Sequence, residues 1–166
     1  MKKRLAMLVL AGAMVTSSLT GCGLKDSATV ATVAGDEIPA GLANFYARMT
    51  QAQYESMYSS YLGDNMWTTE ASEGKTYEKL VKDEVLKDLE NMYLLEDHMD
   101  DYNISLSDDE KKAIKDAAKE FSKDNDKDDK EKVSGDTEYV ERYLTLVTIK
   151  QKMTDAIEAE ADTNVT

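Results

Sequence analysis

A single cysteine, Cys22, in 166 residues excludes an intrachain disulfide and any zinc site built on paired thiolates. A single histidine, His98, flanked by Asp97 and Asp100, cannot by itself make a zinc site or a hydrolytic triad, and it reads as a helix-surface or partly packed residue. Glycines are few, and Gly63 and Gly74 stand isolated, so no glycine-rich phosphate loop is present. The serines and threonines have no histidine base in a recognisable motif. No catalytic residue, metal site or cofactor is therefore expected. Positive charge is also scarce: 20 Lys and Arg stand against 33 Asp and Glu, a net charge of −13. Such a surface repels nucleic acid and anionic lipid and suits cationic or neutral partners.

What is present begins with Met1-Lys2-Lys3-Arg4 and the apolar run Leu5 to Val15, a basic start and a short apolar core of the export-signal type. An apolar core of roughly 7 to 15 residues is too short to span a bilayer as a stable helix, which takes about 20. Leu19-Thr20-Gly21-Cys22 follows and resembles the lipobox of bacterial lipoproteins, in which the cysteine sulfur receives a diacylglyceryl group and the preceding bond is cut. The resemblance implies a signal peptide over 1–21, a lipidated Cys22 carrying acyl chains such as palmitate, and a short linker over 22–28. It also implies a lipid-anchored protein on the extracytoplasmic face of the cell membrane, with Cys22 a tether and not a catalyst. Loss of Lys2, Lys3 and Arg4 with the leader would move the charge from −13 to −16, leaving the acyl chains to hold an acidic body at the membrane without a basic patch.

The remaining chain suits one domain, over 29–161, with a short tail at 162–166. "ATVATVAGDEI", Ala28 to Ile38, alternates β-branched residues and offers a turn at Gly35-Asp36, predicting a short strand or hairpin. Everything after Pro39 reads helical, so the expected class is all-α: a four-helix domain preceded by that strand or hairpin. Helix 1 is expected from about Pro39 to Leu62. Leu42, Phe45, Met49 and Ala52 share one face of it, while Tyr46, Tyr54, Met57, Tyr58 and Tyr61 share an adjoining one at about 100° per residue. Gly63 to Gly74 is expected to be a loop, helix 2 to run from about Lys75 to Tyr102, and helix 3 to start from the S-x-x-E box at Ser107 and Glu110 and run to about Phe121. The last helix is expected from about Thr137 to Ala161, with Tyr139, Tyr143, Leu146, Ile149, Met153 and Ile157 inward.

Lys123 to Lys132, "KDNDKDDKEK", begins like a calcium loop but has Asp129 where the sharp turn needs glycine and Gly135 where a bidentate glutamate closes the site. It reads instead as a solvated, mobile charge run. Methionine and tyrosine at helical spacing are usually core. The cover on helix 1 is nevertheless wider than the stripe of a surface helix, so Tyr46, Tyr54, Met57, Tyr58, Tyr61, Met66 and Trp67 are the candidates for contact with apolar ligands.

"ATVATVAGDEIPAGLANFYARM", the long helix reaching "DDYNISLSDDE", and "YVERYLTLVTIKQKM" together resemble the N-terminal helical region of extracytoplasmic foldase lipoproteins of the PrsA and SurA type, over about Val30 to Ile157. The resemblance implies a chaperone or foldase module that holds unfolded or partly folded exported proteins. In that family a parvulin-type peptidyl-prolyl cis-trans isomerase domain commonly follows. That domain, with its catalytic residues, has no counterpart in these 166 residues, so the sequence reads either as a fragment or as a short form. The competing reading is a structural or adaptor lipoprotein that docks one dedicated partner.

Overall fold

The computed structural model describes residues 25–160 apart from Asp64 and Glu73. The expected leader, the Cys22 tether, most of the lipidated linker and the 162–166 tail lie outside the described residues. β1 (Thr29–Val33) and β2 (Asp36–Pro39) form an antiparallel hairpin. Its tight turn is Ala34-Gly35, one residue earlier than the sequence suggests, with φ of 53° and 101°, the left-handed pair that matches strand twist in a two-residue hairpin. The incoming chain then completes the start of α1 (Ala40–Leu62): the amides of Ala40 and Gly41, which no helical turn can satisfy, donate to the carbonyls of Ala28 and Asp26 at 2.7 and 2.8 Å.

Four long helices form as expected, and two local segments differ. Gly63 to Gly74 is not an irregular loop. It holds a 3-10 turn, Met66–Thr68, and a second small hairpin, β3 (Glu70–Ser72) with β4 (Lys75–Thr76), reversed at Gly74 with φ 74°. Because Lys75 and Thr76 are in that hairpin, α2 begins at Tyr77, where the Thr76 hydroxyl accepts from the Lys79 amide, and runs to Asp97; a 3-10 turn, Met99–Tyr102, completes the span. α3 (Asp108–Asp124) starts from Ser107 with both halves of the capping box made. The charge run is the second difference. It contains a helix, α4 (Lys127–Val133), capped by the Asp126 carboxylate on the Asp129 amide and closed by Ser134 in the left-handed region, so local capping and i,i+3 or i,i+4 pairs order residues whose composition suggests mobility. α5 (Thr137–Glu160) follows.

α5 is the axis of the packing. It runs antiparallel to α2, with Arg142 paired to Glu96 and Lys150 to Asp88, and antiparallel to α3, with Lys152 paired to Glu110. The larger core joins Ile38 and Leu42 to Val81, Val85, Leu89 and Met92 of α2 and Leu146 of α5. A smaller one joins Phe45, Ala118 and Val140, where the Phe45 ring meets Phe121 and Tyr143 edge-on at 5.5 and 5.6 Å. Leu146 and Met153 are fully enclosed, each worth about 1.5–3 kcal/mol of burial. The inward face of α5 needs two corrections. Val140 is buried at 3 % exposure, whereas Ile157 is 39 % exposed. Among the described residues no buried side-chain polar atom lacks a partner.

Candidate functional site

α1 changes character along its 23 residues. Its first half is core, through Leu42, Ala43 and Phe45. In its second half Tyr54 still packs against the larger core, but Met49, which shares a face with Phe45, is 43 % exposed. The whole helix carries only two charged residues, Arg48 and Glu55, in a chain that is 32 % charged. An exposed helix is ordinarily the charged one. The distal half of α1 is exposed without being charged.

The helix persists there for local reasons. Gln51 bonds to Glu55 one turn on, and Arg48 to Gln51; the Tyr54 and Tyr58 rings, also one turn apart, lie 5.7 Å from each other. Gly63, with φ 66°, ends it. Beyond that turn the chain doubles back, and the 3-10 segment seats Trp67 against Tyr54, ring centres 6.4 Å apart. The indole N–H donates to Glu55 at 2.8 Å, and the Tyr54 hydroxyl donates to Glu84 of α2 at 3.3 Å. Gln51 and Trp67 together hold the Glu55 carboxyl below its usual range, so it stays ionised at neutral pH.

The seven candidate residues separate into two groups. Tyr54, Met57, Tyr58, Tyr61 and Trp67 share one end of the molecule, and Met57, Tyr58 and Tyr61 are 53, 40 and 85 % exposed. Tyr46 faces inward: its ring lies 5.0 Å from Tyr143 and its hydroxyl donates to Asp88 at 2.6 Å. Burial and that carboxylate push its phenol well above the usual range. Met66 is a correction. It is 2 % exposed, while Trp67 beside it is half-buried and packs against the larger core. The adjacency of an apolar Met66 and an amphipathic Trp67 was visible in the sequence; which of them points inward was not. Glu55 and Glu84, the carboxylates that orient the indole and the phenol, carried no signal at all, since each needs a partner from another element.

A second feature is an open depression of about 900 Å³ between β2, the end of α2 and the start of α5. Asp36, Glu37, Glu96, Glu138 and Glu141 line it with Tyr93, Tyr139 and Arg142. Arg142 is committed to structure: both of its terminal nitrogens donate to Glu96 at 2.6 Å, and its guanidinium lies 4.6 Å from the centre of the Tyr93 ring. His98 sits at the end of α2 with its ring nitrogen 3.0 Å from Asp101. Among the described residues no group of three His, Cys, Asp or Glu side chains is arranged to hold a metal ion, and no helix is long and apolar enough to cross a membrane.

No curated protein and no solved structure gives a significant match to the chain. A family model does match, over residues 3–134, from the N-terminal segment through α4. With most of its length covered, and with a short hairpin leading into a helical bundle as its fold, the chain belongs to the SurA-like N-terminal domain family.

Proposed function

We propose that this protein is a chaperone module, tethered outside the cell membrane through a lipid on Cys22, that binds apolar segments of unfolded exported proteins. The family makes it a chaperone-type module. The observation that carries the binding reading is the distal half of α1, an exposed helix with one charged residue, Glu55, between Met49 and Leu62 and with Met57, Tyr58 and Tyr61 uncovered. Flexible thioethers and amphipathic rings accept many apolar shapes without fixed hydrogen bonds, so affinity for any one sequence is modest and selectivity broad. The acidic exterior keeps a loaded chaperone in solution. Were an isomerase domain joined to this module, the module would be its substrate-holding half.

The test is light scattering of a denatured protein on dilution, with and without the chain from Gly23 onward. Scattering should fall steeply at several-fold molar excess, and unchanged scattering would remove the holding activity. A dedicated adaptor would instead retain one partner in a pull-down and leave aggregation unaffected. The tether is tested separately: labelled palmitate should enter the wild-type chain in cells and not the Cys22→Ser variant.

A further inference from the structure

We infer that the aromatic end of α1 takes segments of unfolded polypeptide in which aromatic or aliphatic residues are flanked by lysine or arginine, and that it excludes acidic segments; this rests on the chaperone reading above and specifies its substrate. The apolar part of the site is the stripe Tyr54, Met57, Tyr58 and Tyr61, at steps of three and four along one helix face, with Trp67 laid beside its root. Its rim is acidic. Glu55, Glu84 and Glu70 accept hydrogen bonds from neutral donors, the Trp67 indole, the Tyr54 hydroxyl and the Gly74 amide, not from an ammonium or guanidinium. Of the nearby cations, Lys75 and Lys82 are tied to Asp83 and Glu78, leaving Arg48, bonded to the neutral Gln51, and the exposed Lys79 against the three carboxylates. The net charge of −13 adds a long-range field of the same sign.

That field also decides among occupants. A second copy brings the same negative charge to the interface, and an anionic bilayer is repelled by it. Position argues the same way. Ala28 and Asp26, where the chain enters the fold, are bonded to the first residues of α1, whereas Tyr61 lies at its far end, about 30 Å along the axis at 1.5 Å per residue. A tether ahead of residue 25 therefore joins the body at the end opposite the aromatic stripe and leaves that stripe to face arriving chains.

Trp67 is the only tryptophan in the protein and lies in the site, so its emission reports occupancy directly. The full chain is titrated with short tryptophan-free peptides that share one Phe- and Leu-containing core and carry either Lys or Glu on both flanks. The Lys-flanked peptide should shift the emission and bind about tenfold tighter than the Glu-flanked one, a preference that shrinks as salt is raised. Met57→Ser with Tyr61→Ser, both exposed and so harmless to folding by circular dichroism, should weaken binding about tenfold. Equal affinity for both peptides would overturn the charge selection. Full binding by the double variant would overturn the location; aggregation suppression by the parent chain would then still support the chaperone reading. An emission shift with phosphatidylglycerol vesicles but not with peptide, or one that grows with protein concentration alone, would replace the occupant by membrane or by a second copy and overturn the inference.

Discussion

Replacing Tyr46 by phenylalanine removes one oxygen from the point where α1, α2 and α5 cross. The Tyr46 hydroxyl donates to Asp88 at 2.6 Å, and Lys150 of α5 donates to both oxygens of the same carboxylate at 2.9 Å. A hydrogen bond to a charged acceptor is worth about 1.5–3 kcal/mol. The Lys150–Asp88 pair is 40 and 33 % exposed and so contributes at most about 1 kcal/mol. Tyr46→Phe should therefore cost about 2 kcal/mol, roughly 4–8 °C in Tm for a domain of this size, and Lys150→Ala should cost less. Urea unfolding followed by circular dichroism measures both, and the Tyr46→Phe, Asp88→Asn cycle should return a coupling of about 1–2 kcal/mol. The pH dependence supplies a second check. Burial raises the Asp88 carboxyl, but the bonds from Tyr46 and Lys150 outweigh it and hold the group below its usual range, so its contribution is present above the unfolded value of about 3.9 and disappears as pH falls through the lower folded value. Burial, then Asp88, raises the Tyr46 phenol, so that contribution is complete below the unfolded value of about 10 and declines as pH rises through the higher folded value. Tyr46→Phe should flatten the alkaline limb. A variant within about 0.5 kcal/mol of the parent, or a larger loss from Lys150→Ala than from Tyr46→Phe, refutes the reasoning.

Glu110 is held at about 2 by the Lys152 ammonium and by the Ser107 backbone amide of the capping box, so its stabilisation is present above the unfolded carboxylate value of about 4.3 and lost as pH falls toward 2; Tm recorded between these limits should fall less steeply in Glu110→Gln. Gly41→Ala should destabilise by about 1–3 kcal/mol, because the new methyl would run into the Tyr139 ring, and Tyr139→Ala in the same chain should recover part of the loss in urea unfolding. Ala34 holds φ 53° in the first turn of the hairpin, a conformation that costs most L-residues about 1–2 kcal/mol and that asparagine tolerates. Ala34→Asn should raise Tm, and an unchanged or lower Tm would show that the turn is not strained.

The long helices were legible because their evidence is local. Val81, Val85, Leu89 and Met92 recur at helical steps and all are buried, and Ser107 with Glu110 closes its cap within four residues. The β3–β4 hairpin and α4 were missed because short elements offer too few residues for a period to show, and because charge in "KDNDKDDKEK" outweighs its capping pattern on any compositional reading. The tyrosine-rich stripe of α1 was visible as a stripe, but where burial stops along it was not. Phe45 and Met49 occupy equivalent positions one turn apart, but the Phe121 and Tyr143 rings close over the first and the second is 43 % exposed.

By itself the amino-acid order determined the helix periods, the caps, the acidic surface and the apolar aromatic character of α1, since each depends on residues within a few positions of one another. Tertiary structure alone decided that Tyr46 and Met66 turn inward while Met57 and Tyr61 stay exposed, and that Trp67 comes to lie on Tyr54. Burial and long-range contact depend on which residues of distant elements meet, and no local window of sequence contains those partners.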